Sequence, residues 1–103
     1  MAKLIIVSWR DIPAQIIVKQ GRDSARVQLP QRFQEAIDRA AMRAGKGGSA
    51  AYLADWTRSE PITCGDDLQA EAEAEAVRIE QRFSDDDLNR LIRNKGLSAH
   101  TDD

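Results

Sequence analysis

The sequence predicts an α+β domain: a small antiparallel sheet, begun by an N-terminal β-hairpin, covered by three to four helices. Three observations point there. Two apolar, β-branched runs, Leu4 to Trp9 and Ala14 to Val18, flank a polar break that contains Pro13, as paired antiparallel strands do. The downstream segments carry apolar residues at helical spacing. A hairpin alone is marginal in water, so those helices are the cover that it needs.

Taken in order, Leu4 to Trp9 forms the first strand. Simple alternation puts Ile5, Val7 and Trp9 on one face and Leu4, Ile6 and Ser8 on the other. Both faces are largely apolar, which fits a central strand covered on both sides. Arg10 to Pro13 makes the turn, and Pro13, lacking an N–H, suits a strand edge. Ala14 to Lys19 is the second strand. Gly21 marks another turn, and Ala25 to Leu29 alternates in a way that fits a short third strand, its pairing left open. Pro30 suits the first position of a helix, and Phe33, Ala36, Ile37, Ala40 and Ala44 follow at helical spacing up to a Gly45 cap. Ser49 is placed to cap a short helix through Trp56. Thr57 to Gly65 reads as a plain connection broken by Glu60-Pro61. Asp66 is placed to cap a long helix to Phe83, with Leu68, Ala72, Ala76, Ile79 and Phe83 as its inner stripe. Ser84 and Asp87 form a near capping box for a last helix, 85–94. A single domain is expected over residues 1–96, with a flexible tail over 97–103.

The chain has 103 residues, a formal net charge of −2 and one cysteine. That length is natural for one domain. The charge balance offers no global field to attract phosphate backbones. It is uneven, however: carboxylates crowd Asp66 to Glu80 and Asp85 to Asp87. With Cys64 alone, no internal disulfide forms, which fits a reducing compartment. The run Leu4 to Val7 is too short for a leader core or a membrane span. A cytoplasmic protein without membrane attachment is the expectation.

Nothing in the chain gathers into a catalytic constellation, a cofactor motif or a metal-ligand set. Gly45-Lys46-Gly47-Gly48 lies between two helices, where a glycine-rich loop can clamp a nucleic-acid backbone or hold a phosphate. The P-loop spacing is absent, and a flexible helix–helix connection is the preferred account of the loop. Cys64 precedes a helix start, a place that lowers a thiol pKa, but Asp66 and Asp67 oppose a thiolate. The only histidine, His100, is remote. The carboxylates Glu71, Glu73, Glu75, Glu80 and Asp85 to Asp87 read as a solvated face. Trp9, Arg10 and Asp11 end the first strand, and Tyr52, Trp56 and Arg58 form a second aromatic and basic group. Each group serves either as core and turn or as a protein-binding anchor.

Trp9-Arg10-Asp11-Ile12-Pro13-Ala14-Gln15, Leu29-Pro30-Gln31-Arg32-Phe33, Ala36-Ile37-Asp38-Arg39-Ala40-Ala41 and Tyr52-Leu53-Ala54-Asp55-Trp56 together resemble the small alphaproteobacterial proteins of the virulence factor family. The likeness continues into Asp66-Asp67-Leu68 and covers roughly residues 3 to 92. Ser8 and Lys46-Gly47-Gly48 depart from it, where an aromatic and a less glycine-rich loop are usual. The family's label is inherited and carries no chemistry or catalytic residues. Its larger members join such a domain to one like the N-terminal domain of iron–sulfur scaffold proteins. Stand-alone members imply an association with folate- and corrinoid-dependent methyl-transfer proteins.

The reading that results is a non-enzymatic, protein-binding accessory domain without a cofactor, contacting its partner through Trp9, Arg10, Asp11, Tyr52, Trp56 and Arg58. Self-association is compatible with it. The alternatives are a small accessory subunit in one-carbon methyl transfer, and single-stranded nucleic-acid binding through Gly45 to Gly48.

Overall fold

Strand β1 (Ala2–Trp9) runs through the middle of a five-stranded antiparallel sheet in the computed structural model, which describes residues 1–98. Strand β2 (Ile12–Gln20) pairs with it on one side, and β3 (Asp23–Gln28) pairs with β2 and forms that edge. The third strand thus forms, one to two residues earlier than the alternation placed it. Gly21, at φ 60, makes the turn between β2 and β3.

The other side of β1 corrects the sequence reading. Thr57 to Gly65 is not a plain connection: β4 (Trp56–Arg58) pairs with Val7 to Trp9, and β5 (Ile62–Cys64) pairs with Ala2 to Leu4. Between them, Ser59 completes the ladder. Its Oγ accepts from the Ile6 N–H at 2.9 Å, and its own N–H donates to the Ile6 carbonyl at 2.9 Å. Three-residue strands are too short for alternation to register. What selects them is the unpaired edge of β1, whose N–H and C=O groups need partners.

Val7 faces Gln15 while Ser8 faces Pro13, so Ala14 is the extra residue of a β-bulge. Pro13 therefore lies within β2 beside the bulge, a place where a missing N–H is tolerated. The slip re-aims the end of the hairpin. Trp9 and Ile12 join the core with Leu4, Ile16 and Val18, whereas Val7 does not. Simple alternation, which keeps Val7 and Trp9 together, fails at this end of the hairpin.

Helix α1 (Gln31–Arg43) begins with Pro30 at the cap rather than inside the helix. It ends in a Schellman motif, with Gly45 at φ 71, the Lys46 N–H on the Ala41 carbonyl and the Gly45 N–H on the Met42 carbonyl. Helix α2 (Ser49–Ala54) has Gly48, not Ser49, in the cap position, and stops before Trp56, which belongs to β4. Helix α3 (Leu68–Arg82) is capped by Asp67, one residue after Asp66, because the Asp67 carboxylate accepts from the Ala70 N–H at 3.2 Å. Helix α4 (Asp85–Arg93) opens with the full Ser84–Asp87 capping box. No described helix is long and apolar enough to cross a membrane.

The helices cover one face of the sheet. Ala72, Ala76 and Ile79 of α3 and Phe33, Ala36, Ile37, Ala40 and Ala41 of α1 share one core with Ala2, Leu4, Ile16 and Val18. Helix α4 packs on α1 and adds Leu88 and Leu91. Arg32 locks the α3–α4 corner: it donates to the carbonyls of Glu80 at 2.9 Å and Phe83 at 2.7 Å, and its guanidinium lies 4.6 Å from the Phe33 ring centroid. The cover on both sides expected for β1 does not form; the second face of the sheet carries no helix.

Candidate functional site

The β1–β2 turn gathers most of the residues singled out in the sequence. Trp9 is buried, with its indole N–H donating to the Tyr52 carbonyl at 2.8 Å. Tyr52 stacks on it at 6.0 Å between centroids, and Trp56 meets Tyr52 edge-on at 5.8 Å. Arg10 stacks on the Trp9 ring and forms an ion pair with Asp55 at 3.3 Å, while its Nη1 donates to the Lys95 carbonyl at 2.8 Å. Asp11 is exposed, and its carboxylate accepts from the Ser98 N–H at 2.7 Å. Trp9, Arg10 and Asp11 thus pin α2, the end of α4 and residues 96–98 to the hairpin. Of the aromatic residues in this group, Tyr52 and Trp56 are the half-buried ones that keep a solvent side.

Arg58 stands apart from that cluster, on the helix-free face of the sheet. Cross-strand pairing defines this face: Lys3 with Lys19 and Thr63, Ile5 with Ile17, Ile17 with Arg26, Val7 with Gln15 and Arg58, Lys19 with Ser24, Gln15 with Gln28. Ile5, Val7 and Ile17 make its floor. Although no helix lies over them, Val7 is only 9% and Ile17 only 2% exposed. Their neighbours in the register are Gln15, Arg26 and Arg58, and the stems of these long side chains are the groups placed to cover them. The register-paired charged residues of the face are Lys3, Lys19, Arg26 and Arg58, all exposed, and Glu60 follows Ser59 at the β4–β5 edge beside Ile5. None of the six ion pairs among the described residues uses one of these cations.

Trp56 joins the two regions. With Val7, Gln15, Thr57 and Arg58 it lines a shallow depression at the end of the open face. With Gln15, Gln28, Gln31 and Gln34 it lines a second, amide-rich one. Those glutamines, like Lys3, Lys19 and Arg26, went unremarked in the sequence. The available signal is that the alternates Lys3, Gln15, Lys19, Ser24, Arg26 and Gln28 are amides, hydroxyls or cations.

The other candidates are dispersed. Lys46 reaches Asp55 at 3.5 Å, so its ammonium sits against the Arg10–Asp55 pair. Cys64 is half-buried in β5; burial pushes its thiol up, and the carboxylates of Glu71 and Asp66 push the same way. Glu75 pairs with Arg78 and Arg82 and Asp87 with Arg90, each within its own helix, while Asp85 pairs with Arg32 of α1. Among the described residues no group of three or more His, Cys, Asp or Glu is arranged to hold a metal ion. His100 and the rest of the tail from residue 99 lie outside the described residues.

A family model described as "Virulence factor" matches residues 7–92. No curated protein and no solved structure matches the chain.

Proposed function

The chain belongs to the virulence factor family, and we propose that it acts there as a non-enzymatic accessory domain that binds a protein partner. The observation that carries this reading is the half-covered sheet. One face is closed by α1, α3 and α4, and the other keeps an aliphatic floor under polar side chains and ends at the half-buried Trp56. A partner that displaces those flexible polar side chains would reach the aliphatic floor, with an aromatic anchor at its border. Arg58, Trp56 and Tyr52 are the residues of the aromatic and basic groups best placed to touch a partner. Trp9, Arg10 and Asp11 serve the same site indirectly, by fixing the hairpin and α2 beneath it.

Site-specific photo-crosslinking in the native host tests this reading. A benzophenone side chain replacing Gln28, on the open face, is expected to yield discrete protein adducts. The same group replacing Ala74, exposed on the outer side of α3, is expected to yield none of them. No adduct from position 28, or the same adducts from both positions, would refute it.

A further inference from the structure

We infer that the open face of the sheet docks an acidic protein segment that presents aliphatic side chains flanked by carboxylates. This rests on the protein-binding reading above and adds the chemistry of the occupant. The argument is one of charge complementarity. The chain as a whole is slightly acidic, with 17 Asp and Glu against 15 Lys and Arg. Yet Lys3, Lys19, Arg26 and Arg58 converge on one face whose register-paired residues include no acid, with Glu60 at its β4–β5 edge, and none of the four makes an ion pair among the described residues. Elsewhere Arg10, Arg32, Arg78, Arg82 and Arg90 are met by carboxylates. Four like charges left together repel one another, and an anionic occupant relieves that repulsion.

The floor selects among anionic occupants. Sheet surfaces that read single-stranded nucleic acid place aromatic side chains at the strand centres, where bases stack. Here the central positions are Ile5, Val7 and Ile17, and the nearest aromatic, Trp56, lies at the border. Aliphatic side chains match aliphatic side chains, and the cation heads then reach carboxylates on either side. A second copy seated sheet to sheet is disfavoured, since it opposes four cations to four cations.

The test uses the full chain with labelled isoleucine and valine methyl groups and three probes: a synthetic amphipathic Leu/Glu helical peptide, a polyglutamate of equal charge, and an oligouridylate. The Leu/Glu peptide is expected to shift the Ile5, Val7 and Ile17 signals, to bind more tightly than polyglutamate, and to weaken with salt. The K19E/R26E double variant should weaken it about tenfold. The R39E/R43E variant changes net charge equally on exposed arginines of α1 that make no ion pair among the described residues, and should leave binding unchanged. Equal loss in both variants, or no shift at these methyls up to millimolar peptide, overturns the inference. So does an oligouridylate that shifts the face where the peptide does not. Protein adducts at position 28 that survive K19E/R26E would retain the docking reading and reject the acidic occupant; absence of adducts rejects the docking reading itself.

Discussion

The guanidinium of Arg10 lies 5.0 Å from the centroid of the Trp9 ring that precedes it, and the Arg10 backbone is left-handed, at φ 53. That conformation costs a side-chain-bearing residue about 1–2 kcal/mol. It is held by the contacts the side chain makes: stacking on Trp9, the Asp55 pair and the Lys95 carbonyl.

The two effects separate in a pair of variants. Arg10→Ala loses the contacts and keeps the strain, so it is expected to lower stability by about 2 kcal/mol. Arg10→Gly loses the same contacts but relaxes the backbone, so it should recover about 1 kcal/mol of that loss. Urea unfolding midpoints at constant slope measure both. A glycine variant no more stable than the alanine one removes the strain from the account.

Gly96 closes the same corner from the far end of the chain. A Cβ built there would lie 2.8 Å from Cζ3 of Trp9, and the backbone is at φ 86. Its N–H donates to the Leu91 carbonyl at 2.7 Å, and its carbonyl accepts from the Asp11 N–H at 2.8 Å, so it has little freedom to retreat. Gly96→Ala is therefore expected to cost about 2–3 kcal/mol. In a Trp56→Phe background, where Trp9 is the only indole, its emission should shift to the red as the ring is levered from the core. Unchanged emission and stability would contradict this packing.

The helices were legible because each writes its own period and punctuation. The Ser84–Asp87 box, the Gly45 cap and the 72–76–79 stripe are local signals, and local geometry honours them. The misses are tertiary. Residues 57–65 have no strand signal of their own, and the unpaired edge of β1 is what makes Thr57 and Thr63 extended. The bulge at Ala14 is equally silent in the sequence, and beside it Trp9 is core while Val7 is not. The open face escaped notice because its floor reads as core. Ile5, Val7 and Ile17 look like residues awaiting a second layer, whereas long polar neighbours take that place. Of the aromatic and arginine candidates, Trp9, Arg10, Tyr52 and Trp56 come together at the hairpin turn and Arg58 does not, and most of what the cluster does is fasten the hairpin.

The start of α4 carries a pH dependence of definite sign. The Asp87 carboxylate accepts from the Ser84 backbone N–H at 2.9 Å, meets the Ser84 hydroxyl, and pairs with Arg90 at 2.6 Å. These bonds, the backbone one foremost, hold its pKa below the ordinary aspartate value of about 3.9. A depressed folded pKa means that the stabilisation is fully present above the unfolded value. It is lost as pH falls through the folded one. Asp87→Asn is therefore expected to destabilise at pH 7, and to lose less stability than the wild type between pH 5 and 2. Thermal unfolding across that range reads the difference. Parallel curves for the two proteins would remove the capping box as its source.

The sharpest contrast the two faces offer is between neighbours in β2. Ile16 points into the helix-covered core and Ile17 toward the open face, yet both are nearly inaccessible, at 0% and 2% exposure. By burial alone, an aspartate at either position is equally damaging. The surroundings argue otherwise. At position 16 a carboxylate would lie in the cluster that holds Leu4 and Phe33, where no buried polar or charged residue is found among the described residues, at a cost of several kcal/mol. Ile16→Asp is therefore expected to leave the chain unfolded by circular dichroism at 25 °C. At position 17 only flexible polar side chains stand between the carboxylate and solvent, and Arg26 is its cross-strand partner. Ile17→Asp should lose the burial of one isoleucine, about 2–3 kcal/mol, and regain part of that from Arg26, so that it stays folded with a lowered urea midpoint. The same variant places an acid on the cationic floor and should repel the Leu/Glu peptide. If Ile17→Asp unfolds as completely as Ile16→Asp, the second face is a closed core, and no partner can dock on it.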